Sequence, residues 1–198
     1  CIPVGSELVT HRVALIVTED VNNEVADGTV SGGLTWLVGI VNQVNLIWTR
    51  DLGFKMQLVE NNDVVIHTNS NPAPAQFKQE CAETGNPSNC ELPEVEPYLD
   101  DVIGPGGWEA EDAIRQWEYG ACFDLGYGGG LGYCPGATSV NIPSYLVFSH
   151  EAMHNIGSNH NLTKEGGIGS SIGGSIMYWS TNSARVPGNN AMAYTSHS

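Results

Sequence analysis

One eleven-residue window constrains this chain more than any other feature: His150-Glu151-Ala-Met-His154-Asn-Ile-Gly157-Ser-Asn-His160, preceded by Ser144-Tyr-Leu-Val-Phe-Ser149. On a helix, His150 and His154 stand about 40° apart on one face, one turn above the other, so that two imidazoles can grip one metal ion. Glu151 points beside them, within reach of a water at the metal rather than of the metal itself. Gly157 can take the left-handed conformation that stops a helix, after which the chain doubles back and His160 can supply a third nitrogen. Three neutral imidazoles and one open position describe a catalytic zinc site, whereas a structural site would be closed by four protein ligands. Half of the chain's 6 histidines fall in this window. A chance match to the full spacing is on the order of 10⁻⁵ to 10⁻⁴ per chain, so three solvated or core histidines are the weaker reading.

The pattern is followed downstream by Gly174-Ser-Ile-Met177-Tyr-Trp179. Together the two segments resemble the metzincin zinc endopeptidases, whose histidine motif precedes a Met-turn. Within them the likeness is to the reprolysin (adamalysin) group and its bacterial relatives, supported by Arg50-Asp-Leu-Gly-Phe54 and Gly128-Gly-Gly-Leu-Gly-Tyr-Cys134. It covers most of the chain from about Ser6, and only the zinc segment is highly specific. The resemblance implies that Met177 forms an apolar floor beneath the zinc histidines without ligating. It implies an α+β fold: a mixed, mostly parallel twisted sheet with long helices and a zinc helix. The single catalytic domain 1–198 would divide into an upper part to about 160 and a small lower part, 161–198, below a cleft. No counterpart of the family's final helix can be placed after Thr195, so the lower part is expected to be incomplete. It also implies an extended peptide paired with an edge strand. Ala113–Tyr119 is the candidate, with Ile114, Gln116 and Gly130 in the cleft and Tyr178 and Trp179 walling an apolar pocket after the cleaved bond. Three departures stand out. Ala152 and Met153 replace a larger apolar residue and Gly, Asn161 replaces Asp, and Trp179 stands where some metzincins carry a tyrosine ligand.

Composition bounds the alternatives. Lys plus Arg is 7 and Asp plus Glu is 22, a net charge of −15 over 198 residues. Nothing could neutralise a run of phosphates, which excludes a nucleic-acid binder. Only 15% of residues are charged and 41% are hydrophobic, which suits a globular domain and not a disordered chain. The best candidate for a membrane span, Leu34–Trp48, is interrupted by Asn42, Gln43 and Asn45, so no span is expected. Cys81 with Cys90 and Cys122 with Cys134 flank loop-like stretches, a spacing suited to two short disulfides in a secreted protein. Free thiols in a cytosolic protein are the competing reading. A chain starting at Cys1 would then be a processed, monomeric form. An inhibitory propeptide and a zymogen follow from the resemblance, with a zinc-blocking role for Cys1 the weaker reading of that residue. Calcium would suit an acidic exported chain, yet no EF-hand loop supports it.

Along the chain, Arg12–Thr18 reads as a buried strand. Leu34, Leu37, Val41, Val44 and Trp48 form the stripe of a long helix ended by Gly53. Phe54, Met56 and Leu58 read as a strand parallel to the first, and Val64–His67 as the next. Thr68 to about Glu91 reads as a surface insertion, and Glu91–Asp112 as a solvated acidic helix face near Val95–Ile103 rather than a cation site. Gly126–Gly132 lacks the residues of a phosphate loop and reads as a flexible or close-packed loop. Gly169-Ser-Ser171-Ile-Gly173 matches a nucleophile elbow without the strand and helix that elbow needs. Asn161-Leu-Thr163 is a glycosylation sequon.

These readings converge on a zinc endopeptidase with Glu151 as general base. The rivals are a catalytically silent zinc-binding or adhesive module on the same fold, and a zinc hydrolase of a non-peptide amide.

Overall fold

The computed structural model describes residues 8–78, 88–108, 110–125, 130–133, 136–156, 161–162 and 178–179. Strand β1 (Val9–Val17) contains the expected apolar run, and Val13 to Val17 are wholly buried. A strand covered on both faces has no reason to alternate, which is why it reads as a continuous apolar stretch. Helices α1 (Glu19–Val25) and α2 (Val30–Asp51) follow. Thr29 caps α2 by accepting from the Gly32 N–H at 3.0 Å, which satisfies one of the free donors of the first turn. Leu37, Val41, Val44 and Trp48 form the buried stripe of α2, and Gly53 (φ 72°) turns the chain into β2 (Phe54–Leu58). β2 runs parallel to β1, with Val9 opposite Phe54 and Val13 opposite Leu58.

By length and composition alone α2 could cross a bilayer, with mean hydropathy 1.3 over Val30–Arg50. Here its apolar stripe packs on the sheet. Asn45 pairs through both carboxamide atoms with the Met56 backbone, at 2.7 and 2.8 Å, and so closes the outer edge of β2.

Two expected strands are corrected. Val64–His67 is not a strand: Asn62–Val65 is a 3₁₀ turn, and only Ile66 bridges to Val17. The reason is Asn62, whose buried carboxamide accepts from the Leu15 N–H (2.8 Å) and donates to its C=O (3.0 Å), taking the place of a neighbouring strand. Of the expected strand Ala113–Tyr119, all but Tyr119 is a looped segment whose backbone is committed elsewhere. The Gln116 N–H donates to Pro105 O, Trp117 O accepts from the Gly107 N–H, and the Trp117 indole donates to Gly104 O. The strand, β3, begins at Tyr119 and runs to Phe123.

Strands β4 (Gly130–Gly132) and β5 (Thr138–Asn141) complete a sheet of order β2-β1-β3-β5-β4, in which only β4 is antiparallel. The last three residues of the glycine-rich Gly126–Gly132 stretch thus form an edge strand. Helix α3 (Ser88–Val102) covers one face through Leu92, Val95 and Leu99. α2 and helix α4 (Tyr145–Asn155) cover the other. This is the expected mixed, mostly parallel α and β architecture. α3 starts earlier than expected and takes in Cys90. Cys122 is a core residue beside Ile16, Val95 and Val140, not half of a surface staple, and no disulfide forms among the described residues. Cys81 and Cys134 lie outside them. Finally, β6 (Asn161–Leu162) pairs in parallel with β7 (Tyr178–Trp179), Asn161 opposite Tyr178.

Candidate active site

Helix α4 is buried nearly all round, yet Ser149, His150, Glu151, His154 and Asn155 are all among its buried residues. Buried polar groups demand partners, and each one here has a defined place. The Trp48 indole N–H donates to Ser149 Oγ at 2.7 Å, tying α2 to the residue before the first histidine. The Asn155 carboxamide donates to the carbonyls of Tyr133 (3.1 Å) and Thr138 (2.9 Å). Ala152 packs with Phe148 in the core between helix and sheet.

His150 and His154, 1% and 8% exposed, bring their Nε2 atoms within 3.2 Å of each other. Their rings are nearly perpendicular, at 85°, with centroids 4.8 Å apart. Two nitrogens each 2.0–2.1 Å from one tetrahedral zinc ion lie roughly 3.3 Å apart. The 3.2 Å separation matches one edge of such a tetrahedron, so these two nitrogens fit two of the positions around zinc. Among the described residues no group of three or more potential ligands comes together. His160, the expected third ligand, lies outside them, as do Met177 and Gly157.

Glu151 is 4% exposed. Burial pushes its carboxyl up to about 8, and the Gly132 backbone N–H, hydrogen-bonded to the carboxylate, pulls the other way. Edge strand β4 lies directly on this side chain. A Cβ at Gly130 would stand 2.6 Å from Glu151 Cγ and 2.7 Å from Val147 Cγ1, and one at Gly132 would stand 2.9 Å from the Glu151 carbonyl oxygen. Only glycine lets the strand approach so closely.

Of the expected cleft residues, Gly130 is thus brought to Glu151. Ile114 and Gln116 are not: Ile114 sits in an exposed turn, and Gln116 opens into a separate groove with Arg12, Gln57 and Asn61. Those residues cannot lie along an edge strand, because the strand expected there does not form. Tyr178 and Trp179 lie in β7, joined to the segment that directly follows His160.

A family model described as reprolysin-like metallopeptidase, family M12B, matches residues 9–198. The chain belongs to the reprolysin-like metallopeptidases. No curated protein matches it. Three residues of this reprolysin-like chain escaped sequence reasoning: Ser149, Asn155 and Gly132. Asn155 follows Glu151 by four residues, a spacing that places both on one helix face and was open to inspection. The Trp48–Ser149 bond joins residues 101 apart in sequence, and no local pattern announces it.

Proposed function

We propose that this chain is a secreted zinc endopeptidase that hydrolyses peptide bonds of extended protein substrates. The observation that carries the reading is a pair of buried imidazoles, their Nε2 atoms 3.2 Å apart, on the same helix as a buried carboxylic acid that lies against edge strand β4. A site that only bound metal would have no use for Glu151 there.

His150 and His154 would hold zinc, with His160 as the third ligand. The pairing of Asn161 with Tyr178 supports this arrangement, since it joins the segments that follow His160 and Met177. Zinc in such a site supplies a Lewis acid that lowers the pKa of a water toward about 7 and polarises a carbonyl. Glu151 accepts the proton of the attacking water and delivers it to the leaving amine. The Gly132 N–H fixes the carboxylate during both transfers. Of the two edges of the five-stranded sheet, as far as the described residues go, Asn45 closes that of β2, which leaves β4 for a substrate backbone in place of Ala113–Tyr119. Tyr178 and Trp179 would help wall an apolar pocket beyond the cleaved bond. Excess negative charge on the surface favours cationic substrates.

Metal titration tests the site. The wild type should take up one zinc per chain, and His150→Ala and His154→Ala should each abolish tight binding. Unchanged zinc uptake in either variant would overturn the ligand assignment.

A further inference from the structure

Val147, Glu151 and Asn155 recur every fourth residue, so they share one face of α4. That face meets the β4–β5 hairpin along its length. Val147 and Glu151 lie against Gly130, Glu151 against Gly132, and Asn155 against the connection between the strands. β4 has three residues and three ladder pairs, too few to hold a strand in place by itself.

Asn155 supplies the missing anchor. It is 1% exposed, and its Nδ2 spends both hydrogens on the hairpin, at 3.1 Å to Tyr133 O and 2.9 Å to Thr138 O. Its own carbonyl accepts from the Gly136 N–H at 3.3 Å, and the Tyr133 N–H donates to Thr138 O at 3.3 Å. One side chain therefore grips the hairpin where β4 ends and where β5 begins. The chemistry is specific to a carboxamide, which presents two donors on one nitrogen to two carbonyls. An aspartate would set its oxygens against those carbonyls.

We propose that Asn155 is a positioning residue that holds β4 over Glu151. It sets the distance from the Gly132 N–H to the carboxylate and the place of the strand's free edge. The structural part of this role stands on the hydrogen bonds alone, and its catalytic part rests on the peptidase reading.

The test compares Asn155→Ala, Asn155→Ser and Asn155→Asp in the full chain by two independent readouts. The first is amide hydrogen exchange of residues 131–133, with and without zinc. Exchange there should rise about 10-fold in the Ala and Asp variants, as two net hydrogen bonds are lost. The amides of β1 and β3 should stay as in wild type. Asn155→Ser keeps one donor and should fall between, which also covers an Ala variant that fails to fold. The second readout is cleavage of an unstructured protein. KM should rise about 10-fold as the strand's edge shifts, and kcat should fall about 3-fold or more as the Gly132 N–H leaves the Glu151 carboxylate, with zinc content unchanged. Exchange in β4 equal to wild type, a uniform rise over the whole sheet, or an Asp variant indistinguishable from wild type would overturn the anchoring role. Raised β4 exchange with KM unmoved would overturn its catalytic part. A wild type that cuts nothing would instead count against the peptidase reading, and hydrogen exchange would still decide the anchor.

Discussion

The Trp48 indole nitrogen sits 2.7 Å from Ser149 Oγ, with both side chains fully buried. This bond crosses from the middle of the core to the residue before His150, and it fixes how α4 is rotated about its axis. A helix presenting two imidazoles to one ion tolerates little rotation, since each residue advances the face by about 100°.

Ser149→Ala leaves the Trp48 N–H buried without a partner and should cost about 1–3 kcal/mol of unfolding free energy. Trp48→Phe removes the donor along with some packing. In the double variant the loss should be less than the sum of the two by about 1 kcal/mol, measured by denaturant unfolding as a double-mutant cycle. Strict additivity would mean that the bond contributes nothing to stability.

Two glycines should respond to the same substitution with opposite sign. At Gly132 a new Cβ would meet the Glu151 carbonyl at 2.9 Å, and a backbone atom cannot swing aside. Gly132→Ala should therefore destabilise by about 1–3 kcal/mol and displace β4 from the site. At Gly39, within α2, nothing lies within 4 Å of the added carbon. Gly39→Ala should stabilise by about 0.5–1 kcal/mol through helix propensity. Thermal unfolding of both variants decides the matter, and equal effects would contradict the close approach of β4 to α4.

The Glu151 carboxyl gives the metal-free protein a distinctive pH profile. Its folded pKa of about 8 lies above the ordinary value of 4.5, because burial disfavours the charge. The folded state therefore keeps a proton that the unfolded state has already released. The resulting stability is fully present below pH 4.5 and is lost as pH rises toward 8. The melting temperature of Glu151→Gln should fall less than that of wild type between these limits. Zinc saturation should also flatten the wild-type profile, because a nearby cation favours the carboxylate. Parallel profiles for variant and wild type would show that Glu151 is not the group responsible.

Much of this architecture was legible because it follows local rules. The β1-α2-β2 unit was written in one apolar run, one stripe of period 3.6 and one glycine at a left-handed turn. His150, Glu151 and His154 were legible because helical spacing alone brings them together. What escaped depends on contacts distant in sequence. Asn45 looked like a flaw in an apolar helix until the unpaired edge of β2 explained it. Asn62 stands in for a strand, so the apolar Val64–Ile66 did not become one. Trp117 looked like part of a strand from Ala113, while its indole and carbonyl were already engaged by Gly104 and Gly107. Gly130 and Gly132 read as loop glycines, because only the nearness of Glu151 reveals that a short edge strand needs them.

The peptidase account stands or falls on cleavage of a denatured protein by the zinc-loaded wild type and by equally loaded Glu151→Gln. Glu151 is assigned the proton transfers, so the variant should bind zinc normally yet cut about 10²–10⁴-fold more slowly. Chelation should silence the wild type, and restored zinc should revive it. A zinc-loaded wild type that leaves the substrate whole, or a variant that cuts as fast, would contradict the account.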